Sequence, residues 1–277
     1  MDVVAGEQLT NYQNIAKRIR AQICRISNIG EGGHIGSCLS MVELLIVLYY
    51  KILKVDPKHP DWSERDRFIL SKGHGGLGVY IILAERGFFP KDWLNDFRQE
   101  GSHLGDHISY LVPGVELSTG SLGHGLPVAV GMALNCKIRK KKYRVFVLMG
   151  DGGWDEGSNW EAALFAAQHH LSNLVAIVDY NNIQAFGRNK DIIDLEPFAK
   201  KFESFNWSVK EINGHNFQEI DEALNDLPLE NGKPSCIIAH TLKGKGISFL
   251  EDTLGSHYKY CNDEELVEAY KELGVIL

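Results

Sequence analysis

The sequence predicts an α/β fold, a parallel sheet flanked by helices. Three observations carry this. Strand-like and helix-like segments alternate from Tyr143 onward. The strand-like runs "FVLM" and "VAIV" carry no charge, which suits strands covered on both faces. A chain of 277 residues is long enough for one large α/β domain. Such alternation makes sequential strands parallel, joined by right-handed crossovers.

Taken in order, residues 8–28 form an amphipathic helix with Ile15, Ile19, Ile23 and Ile26 on one face. "EGGHIGSCLS" breaks it, and "MVELLIVLYYKIL" is a buried helix. "DRFILSKG" is a short strand ending in turn residues. "GGLGVYIILAERG" and "DWLNDFRQEG" are helical. Gly101 to Gly125, rich in Gly, His and Ser, is a long loop, a kind that is usually functional or disordered. "LPVAVGMALNCKIRKK" is a helix with Pro127 in its tolerant first turn. Then come strand "YRVFVLMG", helix "NWEAALFAAQHHLS", strand "LVAIVDY", helix "EPFAKKFESF", strand "WSVKEI", helix "NFQEIDEALNDL" and strand "SCIIAHTL". A helical tail runs from Asp263 to Val275. With no repeat, low-complexity tract or clear linker, residues 1–277 read as a single domain.

The net charge of -7 disfavours nucleic acid or an anionic membrane as partner. The basic run "KIRKKK" sits where a helix closes, a position that favours cations. The five cysteines are scattered, odd in number and form no C-x-x-C pair, which excludes a disulfide framework or zinc site. No signal peptide or membrane-length apolar run is evident, so a cytoplasmic location is expected.

"GHGGLG" at Gly73–Gly78 fits G-x-G-x-x-G, but the next residues are helical and do not form the second strand a dinucleotide fold requires. The informative turn is Gly150-Asp151-Gly152. It ends one strand, and the next ends in "DYNNIQ", with Asn181 30 residues after Asp151. Strands joined by one helix are neighbours, and ligands in open parallel sheets sit at their carboxyl ends. That edge would gather Gly150–Glu156, Asn181–Ile183 and Lys243–His257. Asp151, the Asn181 amide oxygen and the Ile183 carbonyl are hard ligands. They are too few for a calcium cage but suit Mg²⁺ completed by water and two phosphate oxygens. The flanking glycines let backbone approach an anion, and the following helix would add amide donors.

The Gly150-Asp151-Gly152 turn with Asn181 resembles the diphosphate-binding motif of thiamine diphosphate enzymes. "EGGHIGSCLS", "DRFILSKGHGG", "GSHLGDHISYLVPGVELSTGSLGHG", "GDGGWDEGSNWEAA", "DYNNIQAFG" and "HTLKGKGISFLEDTLGSHYK" stand in the order found in transketolases, covering about Ile15 to Tyr260. The resemblance implies the thiamin diphosphate-binding fold, in its diphosphate-binding domain. It implies Asp151, Asn181 and Ile183 as ligands of Mg²⁺, for which Ca²⁺ or Mn²⁺ could substitute. Gly152 matches the glycine on the diphosphate, and Gly120, Ser121 and Leu122 match the loop on the aminopyrimidine and diphosphate. His34, His74, His107 and His257 match histidines lining thiazolium and sugar, His74 and His257 also touching the cofactor. Imidazoles suit protons that move among sugar oxygens. His107 competes with His103, because the proline usual after that histidine is missing. His124 stands where many relatives have glutamine, and its role is open. Glu156 resembles the glutamate of an inter-subunit carboxylate network; the plainer reading is an acid favoured at a helix start. His59, His169, His170, His215 and His240 are read as structural.

The resemblance implies transfer of a two-carbon ketol unit from a ketose phosphate to an aldose phosphate, with the cofactor carrying the carbanion chemistry. In that family the catalytic glutamate lies in a pyrimidine-binding domain, for which this chain has no counterpart. The expectation is therefore the N-terminal half of a split transketolase, inactive alone and paired, as α2β2, with a C-terminal subunit. The rivals are half of a deoxyxylulose-phosphate synthase or of a 2-oxo acid dehydrogenase, and a non-catalytic relic. The synthases are single longer chains with a different histidine set, the dehydrogenase subunits lack the "GGHIG" and "LSTGSLGHG" blocks, and Asp151, Asn181 and the four histidines argue against a relic.

Overall fold

The computed structural model describes residues 2–276. Helix α1 (Asp2–Gly30) leads into the short α2 (Ile35–Leu39) and α3 (Val42–Val47). Strand β1 (Arg67–Leu70), α4 (Gly76–Arg86) and α5 (Gly125–Ile138) follow. Then come β2 (Val145–Gly150), α6 (Gly157–Gln168), β3 (Leu174–Tyr180), α7 (Asn189–Ile192) and α8 (Phe198–Ser204). The order ends with β4 (Ser208–Asn213), α9 (Phe217–Asn225), β5 (Ser235–His240) and α10 (Asp263–Leu273).

The five strands pair in the order β1-β2-β3-β5-β4, every pair parallel. The strand residues explain the two apolar layers. Side chains alternate across a strand. Phe68, Leu70, Phe146, Leu148, Val175 and Ile177 enter one core, with α1, α4 and α9. Ile69, Val147, Met149, Ala176 and Val178 enter the other, with α5, α6 and α8. Both faces are covered, so the central strands carry no charge until Asp179. β4 lies at an edge, where Lys210 and Glu211 remain partly or fully exposed.

Ile15, Ile19, Ile23 and Ile26 are all buried on the inner face of α1. The tail helix closes as its sequence suggests. Asn262 and Glu265 form a reciprocal cap at its start, and Gly274 ends it in a left-handed turn. Three local expectations need correction. The helix expected over "MVELLIVLYYKIL" widens into a π turn at Leu48–Ile52. "DWLNDFRQEG" holds only a 3₁₀ turn, Lys91–Asp96, because Phe97 is extended and Arg98 adopts φ 61°. The helix expected over "NWEAALFAAQHHLS" begins at Gly157 and ends at Gln168, and a 3₁₀ turn, Asp151–Asp155, that the sequence did not foretell precedes it.

Candidate active site

The carboxyl ends of β1, β2, β3 and β5 open onto a cavity of about 390 Å³. β1 delivers Lys72 and His74, β2 delivers Gly150–Gly153, and β3 delivers Asn181 and Ile183–Phe186. Lys243 and His257 come from the segment after β5, and His34 from the turn before α2. His107, Gly120 and Leu122 come from the long loop. Two glycines make this assembly possible. Gly33 has φ +123°, a backbone closed to other residues, and it turns the chain into His34. A Cβ on Gly73 would stand 2.0 Å from the Thr119 carbonyl oxygen, so the β1 turn and the long loop touch only through glycine.

β2 and β3 are neighbours, with Gly150 opposite Asp179. Asp151 therefore meets the turn after β3. Its Oδ1 accepts from Gly152 N (2.8 Å) and its Oδ2 from Asn182 N (2.5 Å). Asn181 Oδ1 accepts from Ile183 N at 3.2 Å. Asp151 thus adjoins the Asn181–Ile183 turn at the cavity wall. Burial, followed by the charge of Asp179, pushes the Asp151 carboxyl up to about 6. Among the described residues no group of three or more His, Cys, Asp or Glu is placed to hold a metal. Any ion here would rely on one carboxylate and neutral oxygens.

Two buried lysines stand behind this point, and the sequence reading missed both as site residues. Lys72 is 2% exposed and Lys243 1% exposed. Lys72 Nζ pairs with Asp179 and donates to the Ser37 carbonyl at 2.9 Å. Burial alone would raise the Asp179 carboxyl, but Lys72 and the hydroxyls of Ser40 and Thr241 outweigh it and hold it low. Lys243 Nζ donates to the Ile183 carbonyl at 2.9 Å and to His257 Nδ1 at 2.8 Å. Burial, then repulsion from Lys72, brings the Lys243 ammonium down to about 8.

The four sequence-selected histidines converge. The His34 ring centroid lies 5.3 Å from His74, 5.7 Å from His107 and 5.5 Å from His257. His74 and His257 are 5.2 Å apart. Burial, then the Lys72 charge, keeps His74 well below the ordinary imidazole range. Burial, then the Lys243 charge, takes His257 down to about 3. Both are neutral at pH 7. Since His257 Nδ1 accepts from Lys243, its proton sits on Nε2. Tyr258, unforeseen in the sequence, packs against His34 and His257 at 5.4 and 4.6 Å.

His107 is held by its backbone. Tyr80 Oη donates to the His107 carbonyl and accepts from Ser109 N, each at 2.9 Å. Its competitor His103 stacks on Trp93 at 4.1 Å, away from the cavity. Two residues expected at the cofactor do not line the cavity. Ser121 is exposed, because the loop alternates and turns Gly120 and Leu122 inward. Glu156 is exposed at the start of α6, packed beside Gly123, since the 3₁₀ turn carries it past the cavity. His124 precedes α5 and is exposed. His215 is structural: its Nε2 accepts from Leu242 N at 2.8 Å, and its Nδ1 lies 3.1 Å from Glu43. Arg20 pairs with the same Glu43 and donates to the Lys245 carbonyl at 2.8 Å. This buried network anchors the turn that carries Lys243.

Comparison with known proteins agrees with this fold. Residues 11–276 match the family model of transketolase, thiamine diphosphate binding domain. The chain is 46% identical over 260 residues to an apulose-4-phosphate transketolase subunit of Actinobacillus succinogenes, covering 93% of this chain and 94% of that one. It is 41% identical over 270 residues to the 6-deoxy-6-sulfo-D-fructose transketolase subunit SqwG of Clostridium sp., covering 97% and 98%. The crystal structure of transketolase from Campylobacter jejuni superposes with a TM-score of 0.88 at 33% identity, over 95% of this chain but 42% of that one. The chain thus spans well under half of that solved transketolase and nearly all of the two subunits. A parallel sheet with Asp151, Asn181 and four histidines at its carboxyl edge, matched in sequence from residue 11 to residue 276, makes this chain a member of the transketolase family, carrying its thiamine diphosphate binding domain.

Proposed function

We propose that this chain binds thiamine diphosphate with Mg²⁺ and, with a second polypeptide, transfers a two-carbon ketol unit from a ketose to an aldose phosphate. The observation that carries the reading is the setting of Asp151. It is a buried carboxylate on two backbone amides, one of them in the Asn181–Ile183 turn, which lines the same cavity. A divalent cation would relieve the burial cost of that carboxylate, and the donor set is all hard oxygen, which fits Mg²⁺. Asp151, Asn181 and Ile183 would hold the ion. Gly150, Gly152 and Gly153 line the adjoining wall, where backbone can approach a diphosphate.

Thiamine diphosphate supplies the carbanion chemistry when bound. The chain's own residues do the rest. His257 presents an Nε2 proton toward the cavity, and His74 stays neutral beside it. His34 and His107 complete a ring of imidazoles able to give and take hydrogen bonds from sugar hydroxyls. The lysines are engaged with Asp179, Ser37, Ile183 and His257, so neither is free to hold a distant phosphate.

That role falls to a partner chain, which would also bring the pyrimidine-binding wall and its glutamate, in an α2β2 assembly. Phe186, 89% exposed on the rim, supports a covering surface there. The names of the two subunit relatives share a ketose with an anionic group far from the carbonyl, and the donor is of this class. All five cysteines are buried free thiols, in keeping with the cytoplasm.

The test is co-expression with the product of the adjacent gene. Two-carbon transfer would be assayed from xylulose 5-phosphate, apulose 4-phosphate and 6-deoxy-6-sulfofructose with thiamine diphosphate and Mg²⁺. Transfer needing both chains, lost in Asp151→Ala, is expected. A folded complex that neither binds the cofactor nor transfers would overturn the reading.

A further inference from the structure

Four imidazoles crowd the cavity, and the structure fixes the proton of only one, His257. His34 has a carboxylate for a neighbour. His34 stands at φ 47° and ψ 50°, a left-handed backbone that a non-glycine residue holds only under constraint. Its Nδ1 is buried and has no hydrogen-bond partner. Asp106 Oδ2 faces that atom at 3.5 Å. Oδ1 of Asp106 is also buried and without a hydrogen bond, and faces Arg98 Nε at 3.7 Å. Arg98 is anchored in turn, its Nη1 donating to the carbonyls of Gly30 and Glu31 at 2.6 Å each. A continuous path therefore runs from the end of α1, through Arg98 and Asp106, to the His34 ring.

We propose that Asp106 is a positioning residue for His34, taking its Nδ1 proton as partner and leaving the Nε2 lone pair toward the cavity. A carboxylate behind an imidazole selects the tautomer of the ring in this way. From 3.5 Å, an approach of roughly 0.6–0.8 Å would bring the pair to the length of a charge-assisted hydrogen bond. The other rings packed on His34 are His74, His107, His257 and Tyr258, and none of them is a carboxylate. The facing His34 ring, first among its neighbours, holds the Asp106 carboxyl below its usual range, so it is ionised at neutral pH and can only accept. His257 and His34 then differ in kind: one presents a proton to the cavity, the other a lone pair. A substrate with adjacent hydroxyl and carbonyl oxygens needs that pairing. The inference rests on the cavity being the sugar site.

The test uses the full chain labelled with ¹⁵N in histidine. Imidazole nitrogen shifts report the tautomer directly, and His34→Gln assigns the ring. The wild type is expected to show His34 protonated at Nδ1. Asp106→Ala is expected to move the proton to Nε2, Asp106→Glu to retain Nδ1. With the partner subunit, Asp106→Ala is expected to lower kcat about 10–100-fold, the cost typical of losing such a supporting group, with cofactor affinity unchanged and Asp106→Glu partly restored. The isosteric Asp106→Asn keeps the test open if Asp106→Ala does not fold. An unchanged His34 tautomer and kcat in an active complex would overturn the proposal. A tautomer shift in a complex that transfers no ketol unit would uphold the positioning and overturn the function assigned to the cavity.

Discussion

The Lys243 ammonium donates to Nδ1 of His257 across 2.8 Å and also to the Ile183 carbonyl at 2.9 Å. One buried cation thus links the turn assigned to the metal with the ring assigned to the sugar. Lys243→Met should leave the fold intact but free His257 to change tautomer and leave Asp151 without the Lys243 charge that favours its carboxylate. Activity with the partner subunit is expected to fall about 10–100-fold, the scale of a lost supporting contact. Thiamine diphosphate titrations and initial rates on the complex check this. An unchanged rate would separate Lys243 from the site.

Lys72 and Asp179 form the second buried pair, at the end of β3 and opposite Gly150. Removing one partner strands the other charge. Lys72→Met is expected to cost about 3–5 kcal/mol in urea denaturation. Lys72→Met with Asp179→Asn should recover more than half of that, because no unpaired charge remains. A double variant as unstable as the single one would show that packing, not charge, is at stake.

The alternation of strands and helices was legible because each central strand feeds two apolar cores, which leaves a local mark on every residue. The placing of β5 between β3 and β4 left none, since it depends on which face each crossover takes. That Asp151 adjoins the turn after β3 was legible, because one helix joins β2 to β3 and makes them neighbours. The burial of Lys72 and Lys243 was not, although the sequence places Lys243 at the sheet's carboxyl edge as one end of a segment. A lysine is ordinarily exposed, and the partner that buries Lys72 lies more than a hundred residues along the chain. The choice between His103 and His107 was equally closed to the sequence. It turns on Trp93, which captures His103 by stacking.

Tyr80 holds the backbone on both sides of Ile108 through one hydroxyl. Tyr80→Phe keeps the ring in its pocket and removes both hydrogen bonds. The expected loss is about 1–3 kcal/mol, since a buried amide and carbonyl are left without partners. Because His107 and Asp106 share that loop, kcat should fall more than the change in stability explains. Urea curves and kinetics on the same preparation test the two effects together. A stability loss with unchanged kcat would show that the loop keeps its place without Tyr80.

His257 gives the metal-free chain a pH dependence whose sign can be worked out. In the unfolded chain its imidazole titrates near its ordinary value, about 6.5. In the folded chain burial and Lys243 depress it to about 3. Between these values the unfolded state binds the extra proton, so stability rises with pH across the window. The His257 contribution is therefore complete above about 6.5 and is lost as pH falls toward 3. Asp151 runs the other way. Its carboxyl is raised to about 6, so its contribution is present below about 4 and lost as pH rises through 6. The two partly cancel in the wild type between pH 4 and 6. A comparison with His257→Gln removes that ambiguity, because Asp151 is common to both proteins. Urea midpoints measured in EDTA from pH 7.5 to 4.5 should fall more steeply for the wild type than for His257→Gln. Parallel curves would mean that His257 takes up its proton as readily folded as unfolded, and that Lys243 does not hold its Nδ1.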